Sequence, residues 1–338
     1  MHFPSRLRRR EPRWRRAQMW DPAPEPTVEP AAAGLDPRTL KMPRALERFD
    51  APPTFICGCA RSGTTWTLEL FERHPHVRAI CESWIFSQTR GVTSLLAQPY
   101  WSASEQEGWG KRVDAPFGAV QMLRYHEMVN DLGALVAGWL ARSASQEHRF
   151  LVVKEPLDVL ATAILLPDAR FVHVVRDGRD VALSMRRAAE TWDPTMGVGL
   201  PIEFRAEAWR RQVRGVRAHR EFLGDRYLEI RYEQLRADPV AGMRTLFSFA
   251  GIPYDDALLD RIRGDTELSS YGELAHRSGF RGGARNRTWR DELSARDAVR
   301  FSRAAGEMLV ELGYEDGRRW LVSRLRPWAR RQPAMEVS

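Results

Sequence analysis

The segment from Thr54 to Thr65 constrains this chain more than any other. Thr54-Phe55-Ile56-Cys57-Gly58 is a short apolar run ending in glycine, and the loop Gly58-Cys59-Ala60-Arg61-Ser62-Gly63 carries the chain into a helical pattern over Thr65–Arg73. A strand apolar on both faces belongs inside a parallel sheet covered by helices. The glycines permit a tight backbone path between strand and helix. Backbone N–H groups then converge at the helix N-terminus, where the dipole favours an anion. The two glycines have the G-x-x-x-x-G spacing of a nucleoside-triphosphatase loop, but Thr64 stands where that loop carries Lys. That lysine reaches the outer phosphates, so its absence points to an anion shorter than a triphosphate. Arg61 puts a cation inside the loop, and Ser62, Thr64 and Thr65 add hydroxyls. An ordinary strand–helix turn is the plain alternative.

The remaining chain repeats the pattern. Phe150–Val153, Phe171–Val175 and Tyr227–Ile230 read as further, largely apolar strands, with helices expected from Asp180 and over Pro239–Phe249. Strands alternating with helices predict an α/β protein whose parallel β-sheet is flanked by helices. Residues 1–50, rich in Arg and Pro, read as a flexible leader. Residues 51–316 read as the folded domain and 317–338 as a basic tail. The aromatic-rich region 84–147, expected to be partly helical, is a candidate ligand pocket.

Composition narrows the function. The chain has 338 residues, enough for one large domain or two modest ones. Its formal charge of +8 sits in the tails: residues 1–18 carry seven Arg and one acid, and residues 318–338 six Arg and one acid. The body between holds 39 basic and 42 acidic residues, a net of −3, so no nucleic-acid partner is expected. The apolar run Leu132–Ala141 is too short to span a bilayer and holds two glycines. No apolar stretch follows the basic N-terminus, so a secretory signal is not expected. Cys57, Cys59 and Cys81 are too few for a disulfide framework and suggest reduced thiols in a cytoplasmic protein.

A second segment, Val174-Val175-Arg176-Asp177-Gly178-Arg179-Asp180, ends a strand and opens a helix that carries Ser184. Arg176 and Ser184, expected on the face looking back at the strand end, form a candidate site for a second phosphate. Alternatively, Arg176 pairs with Asp177 or Asp180 and Ser184 only packs.

Together these residues resemble the sulfotransferase superfamily that uses 3′-phosphoadenosine-5′-phosphosulfate (PAPS), over roughly residues 50–316. In that family the first loop binds the 5′-phosphosulfate; here it reads Arg61-Ser62-Gly63-Thr64-Thr65-Trp66. An Arg followed eight residues later by a Ser binds the 3′-phosphate, as Arg176 and Ser184 would here. A tyrosine near the adenine corresponds to Tyr232 in Arg231-Tyr232-Glu233-Gln234-Leu235. A late glycine loop closing over the 3′-phosphate corresponds to Arg281-Gly282-Gly283 with Trp289. The resemblance implies a P-loop NTPase-like sulfotransferase fold, PAPS as co-substrate and no metal. It also implies Trp66 at the adenine.

The departures refine this. Phenol-type cytosolic enzymes carry Lys-Thr-His where this chain has Lys154-Glu155-Pro156. His74-Pro75-His76-Val77 leading to Cys81-Glu82-Ser83 instead resembles carbohydrate and tyrosyl-protein sulfotransferases, whose glutamate after this turn is the general base. Glu82 is therefore the expected base, ahead of Glu155. The absence of an anchor suggests a bacterial member. Sulfuryl transfer builds negative charge on the oxygen bridging sulfur and 5′-phosphate, so a cation there is catalytic. Arg61 and Lys154 are the candidates, Arg61 by charge alone because guanidinium does not deprotonate. Lys154 can act as a charge or a proton donor.

Other groups have plainer readings. His74 and His76, in a His-Pro-His turn, are expected at the surface. Cys57, Cys59, Cys81 and these histidines superficially suggest zinc, yet the Cys-x-Cys spans a loop whose backbone must face an anion. The tail's Arg, Trp and Leu, from Arg318 to Arg331, suit either solvent or an anionic membrane surface near a lipid-linked acceptor. Carbohydrate, glycolipid, phenol and peptide acceptors all remain open. A P-loop kinase and a non-catalytic nucleotide-binding module are the rival classes.

Overall fold

The computed structural model describes residues 42–81, 116–155, 159–191, 199–268, 289–317 and 319–322. Glu82, the region 84–115, Arg281, Gly282, Gly283, residues 1–41 of the leader and all but the first residues of the tail lie outside the described residues. The end of the expected flexible leader, residues 42–50, is instead packed on the domain, with Leu46 and Phe49 buried in its core. The elements in chain order are β1 (Thr54–Cys57), α1 (Thr64–Glu72), β2 (Val77–Cys81), α2 (Pro116–Arg142), β3 (Phe150–Lys154), α3 (Val159–Leu165), β4 (Arg170–Val175), α4 (Gly178–Thr191), α5 (Ile202–Arg217), α6 (Arg220–Leu223), β5 (Tyr227–Arg231), α7 (Tyr232–Ala237), α8 (Pro239–Ala250), α9 (Asp256–Leu268), α10 (Trp289–Glu292) and α11 (Ala295–Glu311).

The described residues form two compact units. The larger holds residues up to Asp177 and from Gln212 to α9, including the whole sheet. Its five strands lie in the order β2-β3-β1-β4-β5 and pair in parallel throughout. The chain runs outward from β1 to one edge and returns to build the other half. That reversal opens a crevice beyond the carboxyl end of β1, where open α/β sheets bind ligands. One face packs Phe55, Phe171 and Leu151 against α2 and α3; the other packs Ile56, Val152 and Val172 against α1, α8 and α9. Local signals set the helix ends. Asp238 caps α8 by accepting from the Ala241 N–H at 3.0 Å, Pro239 opens it, and Gly251 closes it at φ 70°.

The sheet contains one strand absent from the sequence expectation. β2 lies at an edge, its middle residues only half-buried, and Arg78 interrupts its apolar run. His74 also differs from expectation. It is buried, its ring lies near Phe150 and Phe247, and its Nε2 is 3.0 Å from the Pro253 carbonyl. Burial pushes its pKa down, so it is a core histidine; His76 is exposed as expected.

The smaller unit holds α4, the first residues of α5, α10 and α11. Trp209 is fully buried beside Phe301 and against Gly178, where a Cβ would stand 2.4 Å from the indole. Buried Arg179 lies over the Trp289 ring at 3.6 Å and the Trp320 ring at 4.6 Å, and pairs with Glu315 at 2.5 Å.

Candidate active site

The carboxyl ends of β1, β3 and β4 gather most of the expected residues of the larger unit. The loop leaves β1 at Gly58, whose φ is 143° and whose missing Cβ would stand 2.5 Å from the Val174 carbonyl. The Ser62 N–H donates to the Cys59 carbonyl at 3.0 Å and folds the loop on itself. The Ala60 N–H donates to Gln212 Oε1 at 3.3 Å, a partner 152 residues away that no local pattern announces. Arg61 takes φ 74°, a left-handed value costing a side-chain-bearing residue roughly 1–2 kcal/mol. Gly63 caps α1 at φ 98° without a side-chain bond to the first turn. The N-terminus of α1 thus has no side-chain cap, and Ser62 Oγ is buried with no hydrogen-bond partner among the described residues. These are the groups an anion would satisfy.

Lys154 is brought to the same place by strand register. It ends β3, beside Ile56 on one side and Cys81 on the other. Its side chain is buried, and its Nζ donates to Thr65 Oγ1 at 3.0 Å, with Cys81 Sγ at 3.9 Å. A buried ammonium therefore stands at the first turn of α1. Glu155 follows, buried, its N–H bonded to the Ile56 carbonyl at 3.0 Å.

Arg176, just past β4, donates from Nη1 to the Arg61 carbonyl at 3.2 Å, and its guanidinium carbon lies 4.5 Å from the Tyr232 ring centroid. These are its contacts among the described residues, in place of the pairing with Asp177 or Asp180. The Asp177 N–H instead donates to Glu233 at 2.9 Å, and Asp180 accepts from the Trp289 N–H at 2.6 Å. Tyr232 covers the loop closely: a Cβ on Gly63 would stand 2.2 Å from its ring. Trp66 is buried edge-on to Tyr232 at 5.9 Å, with Arg236 over its own face at 4.8 Å. Trp66 is thus built into the wall of the site. Ser184 sits in the second turn of α4, which begins at Gly178, two residues earlier than expected.

Cys57 and Cys59 are buried thiols whose pKa values burial pushes up, Cys57 to about 12. Cys57 Sγ approaches the Val172 carbonyl at 3.6 Å. Among the described residues no three His, Cys, Asp or Glu side chains group to hold a metal. Across β4, β5 and α5 runs a polar network unforeseen from sequence. His173 Nδ1 is 2.7 Å from the Tyr227 hydroxyl, which donates to Glu229 at 2.9 Å, while Arg217 donates to both Glu229 oxygens. Burial alone would raise the Glu229 pKa, but the bonds from His173, Arg217 and Tyr227 hold it at about 2.

A central parallel sheet, a glycine loop opening onto an uncapped helix, and cations from two neighbouring strand ends define a phosphate-loop type of anion-binding α/β protein. The chain belongs to the sulfotransferase family, whose model matches residues 52–256. It is 29% identical over 217 residues to protein-tyrosine sulfotransferase 1 of Danio rerio, covering 62% of this chain and 56% of that protein. It is 30% identical over 201 residues to carbohydrate sulfotransferase 5 of Mus musculus, covering 52% of this chain and 50% of that protein. The chain thus spans about half the length of these curated relatives. Among solved structures, a mouse sulfotransferase complexed with PAP superposes with a TM-score of 0.48 at 16% identity, covering 84% of this chain and 94% of that one.

Proposed function

We propose that this chain transfers the sulfuryl group of PAPS to a hydroxyl of a carbohydrate, glycolipid or other small-molecule acceptor. The observation that carries the reading is Lys154 Nζ, buried and 3.0 Å from Thr65 Oγ1, at the first turn of α1 within the family-matched region. The residues present fit an anionic nucleotide. Ser62 Oγ is a buried hydroxyl without a partner among the described residues, and the first turn of α1 offers backbone N–H groups.

When bound, PAPS supplies an activated sulfuryl group whose departure leaves negative charge on the 5′-phosphate. Ser62, Gly63, Thr64 and Thr65 bind that phosphate end through backbone amides and hydroxyls. Lys154 and Arg61 stabilise the charge that develops, in a site where water is partly excluded. Arg176 and Ser184, with Arg281, Gly282 and Gly283, hold the 3′-phosphate, and Tyr232 and Trp66 line the base. Glu82, which follows Cys81 in sequence, accepts the acceptor's proton; its neighbour Cys81 is the residue beside Lys154. Residues 51–316 make up the transferase, with 84–147 forming the acceptor pocket. The basic tail contacts an anionic membrane surface when the acceptor is lipid-linked, and the protein works in the cytoplasm.

Transfer of labelled sulfate from PAPS to a panel of saccharides, glycolipids, phenols and tyrosine peptides tests this reading. Product formation that falls at least about 100-fold in Glu82→Gln, but not in Glu155→Gln, is expected for loss of a general base. Bisphosphate binding with no acceptor sulfated would favour a non-catalytic nucleotide-binding module.

A further inference from the structure

Arg176 does more than face a phosphate. Its Nη1 holds the carbonyl of Arg61 at 3.2 Å, and Arg61 is the non-glycine residue with positive φ among the described residues. The Tyr232 ring, over which the Arg176 guanidinium lies, is the ring that closes on Gly63. One side chain thus grips the loop two residues before its helix cap, and the ring beneath that side chain presses on the loop at the cap itself. A guanidinium has five donors in a rigid fork, so one bond to a carbonyl leaves others for an anion. The aromatic face fixes the plane of the fork.

We propose that Arg176 is a positioning residue for the 5′-phosphate loop as well as a contact for the 3′-phosphate, so that a single side chain couples the two ends of the nucleotide. The inference rests on the PAPS reading above. By holding the Arg61 carbonyl, Arg176 keeps the loop in the left-handed bend that leads Ser62, Thr64 and Thr65 to the helix N-terminus. A 3′-phosphate gripped by the remaining donors immobilises the guanidinium, and with it the loop. The ordering cost at the 5′ end is then already met. A 3′-phosphate contact without this tether would leave ligands lacking that phosphate indifferent to Arg176.

Two probes separate the roles: adenosine 3′,5′-bisphosphate and adenosine 5′-monophosphate, which has no 3′-phosphate. Binding of each is measured for wild type, Arg176→Ala, Arg176→Lys and Tyr232→Leu. Amide exchange of the segment 58–65 is followed in the same proteins without ligand, with α8 as internal reference. In Arg176→Ala, the monophosphate is expected to bind about tenfold more weakly, the factor carried by one charge-assisted hydrogen bond. Exchange over 58–65 accelerates by a similar factor while α8 is unchanged. Arg176→Lys, which can still reach the carbonyl but lacks the fork, restores slow loop exchange and leaves bisphosphate binding impaired. Tyr232→Leu loosens the loop with Arg176 intact, and supports the same conclusion if Arg176→Ala does not fold. Unchanged monophosphate affinity and unchanged loop exchange, in variants that bind the bisphosphate more weakly, would overturn the proposal. A wild type that ignores the bisphosphate would overturn the PAPS reading instead, and loop exchange would still decide the tether.

Discussion

Replacing Gly63 by Ala probes the loop's fit to Tyr232 directly. Two costs apply at this position. The backbone has φ 98°, and holding a Cβ in the left-handed region costs roughly 1–2 kcal/mol. The new methyl would also stand 2.2 Å and 2.5 Å from two ring atoms of Tyr232. That ring cannot swing away freely, because Trp66 packs edge-on against it and Arg176 covers its face. Overpacking of this kind costs about 1–3 kcal/mol. The total expected loss is therefore about 2–5 kcal/mol, the sum of the two costs. Gly199 supplies the control, since it has φ 73° and a methyl added there would meet nothing within 4 Å, so its Ala variant bears the backbone cost alone. Guanidinium unfolding of both variants, with unchanged dependence on denaturant, gives the difference. Gly63→Ala should lose about 1–3 kcal/mol more than Gly199→Ala, and Tyr232→Ala should remove that excess. Equal losses in the two glycine variants, or an excess that persists without the Tyr232 ring, would refute the contact.

Three further outcomes are expected. Lys154→Met should reduce sulfate transfer by at least about 100-fold, as loss of a transition-state charge contact does, while bisphosphate affinity falls much less. Ser184→Ala should weaken binding of the bisphosphate but not of adenosine 5′-monophosphate, measured by titration calorimetry, as the contact proposed above with the 3′-phosphate alone requires. Acid should destabilise the fold through the His173–Tyr227–Glu229–Arg217 network. Glu229 is held at about 2, below the ordinary carboxylate value of 4.5, so its contribution is present above pH 4.5 and lost as pH falls toward 2. Burial holds His173 below 6.5 against the opposing pull of Glu229, so protonation favours unfolding there too, beginning below pH 6.5. Glu229→Gln should flatten the dependence of the unfolding midpoint on pH between 4.5 and 2.

What the sequence reveals and what it hides follow one physical division. β1, β3 and β4 are legible because buried parallel strands are apolar nearly throughout, and α8 because Asp238 and Pro239 mark its start and Gly251 its end. β5, at one edge, is legible through Tyr227, Leu228 and Ile230 despite Glu229. β2 is not, because an edge strand with Arg78 half-exposed carries no such run. The site follows the same rule. The glycine loop and Lys154 sit at strand ends and can be placed by pattern. The grip of Arg176 on Arg61, the Gln212 bond to Ala60 and the closure of Tyr232 on Gly63 join residues more than 100 positions apart. No periodicity encodes such contacts. His74 reads as a surface residue for the same reason, since its partner Pro253 lies 179 residues away.

The central claim is that this loop and Arg176 belong to a bisphosphate nucleotide. Calorimetric titration of adenosine 3′,5′-bisphosphate against ADP and against ATP with Mg²⁺, for wild type and Arg176→Ala, tests it most directly. The account predicts that wild type binds the bisphosphate in preference to both, and that Arg176→Ala loses that preference. Failure to bind the bisphosphate, or a preference for ATP with Mg²⁺, would contradict it.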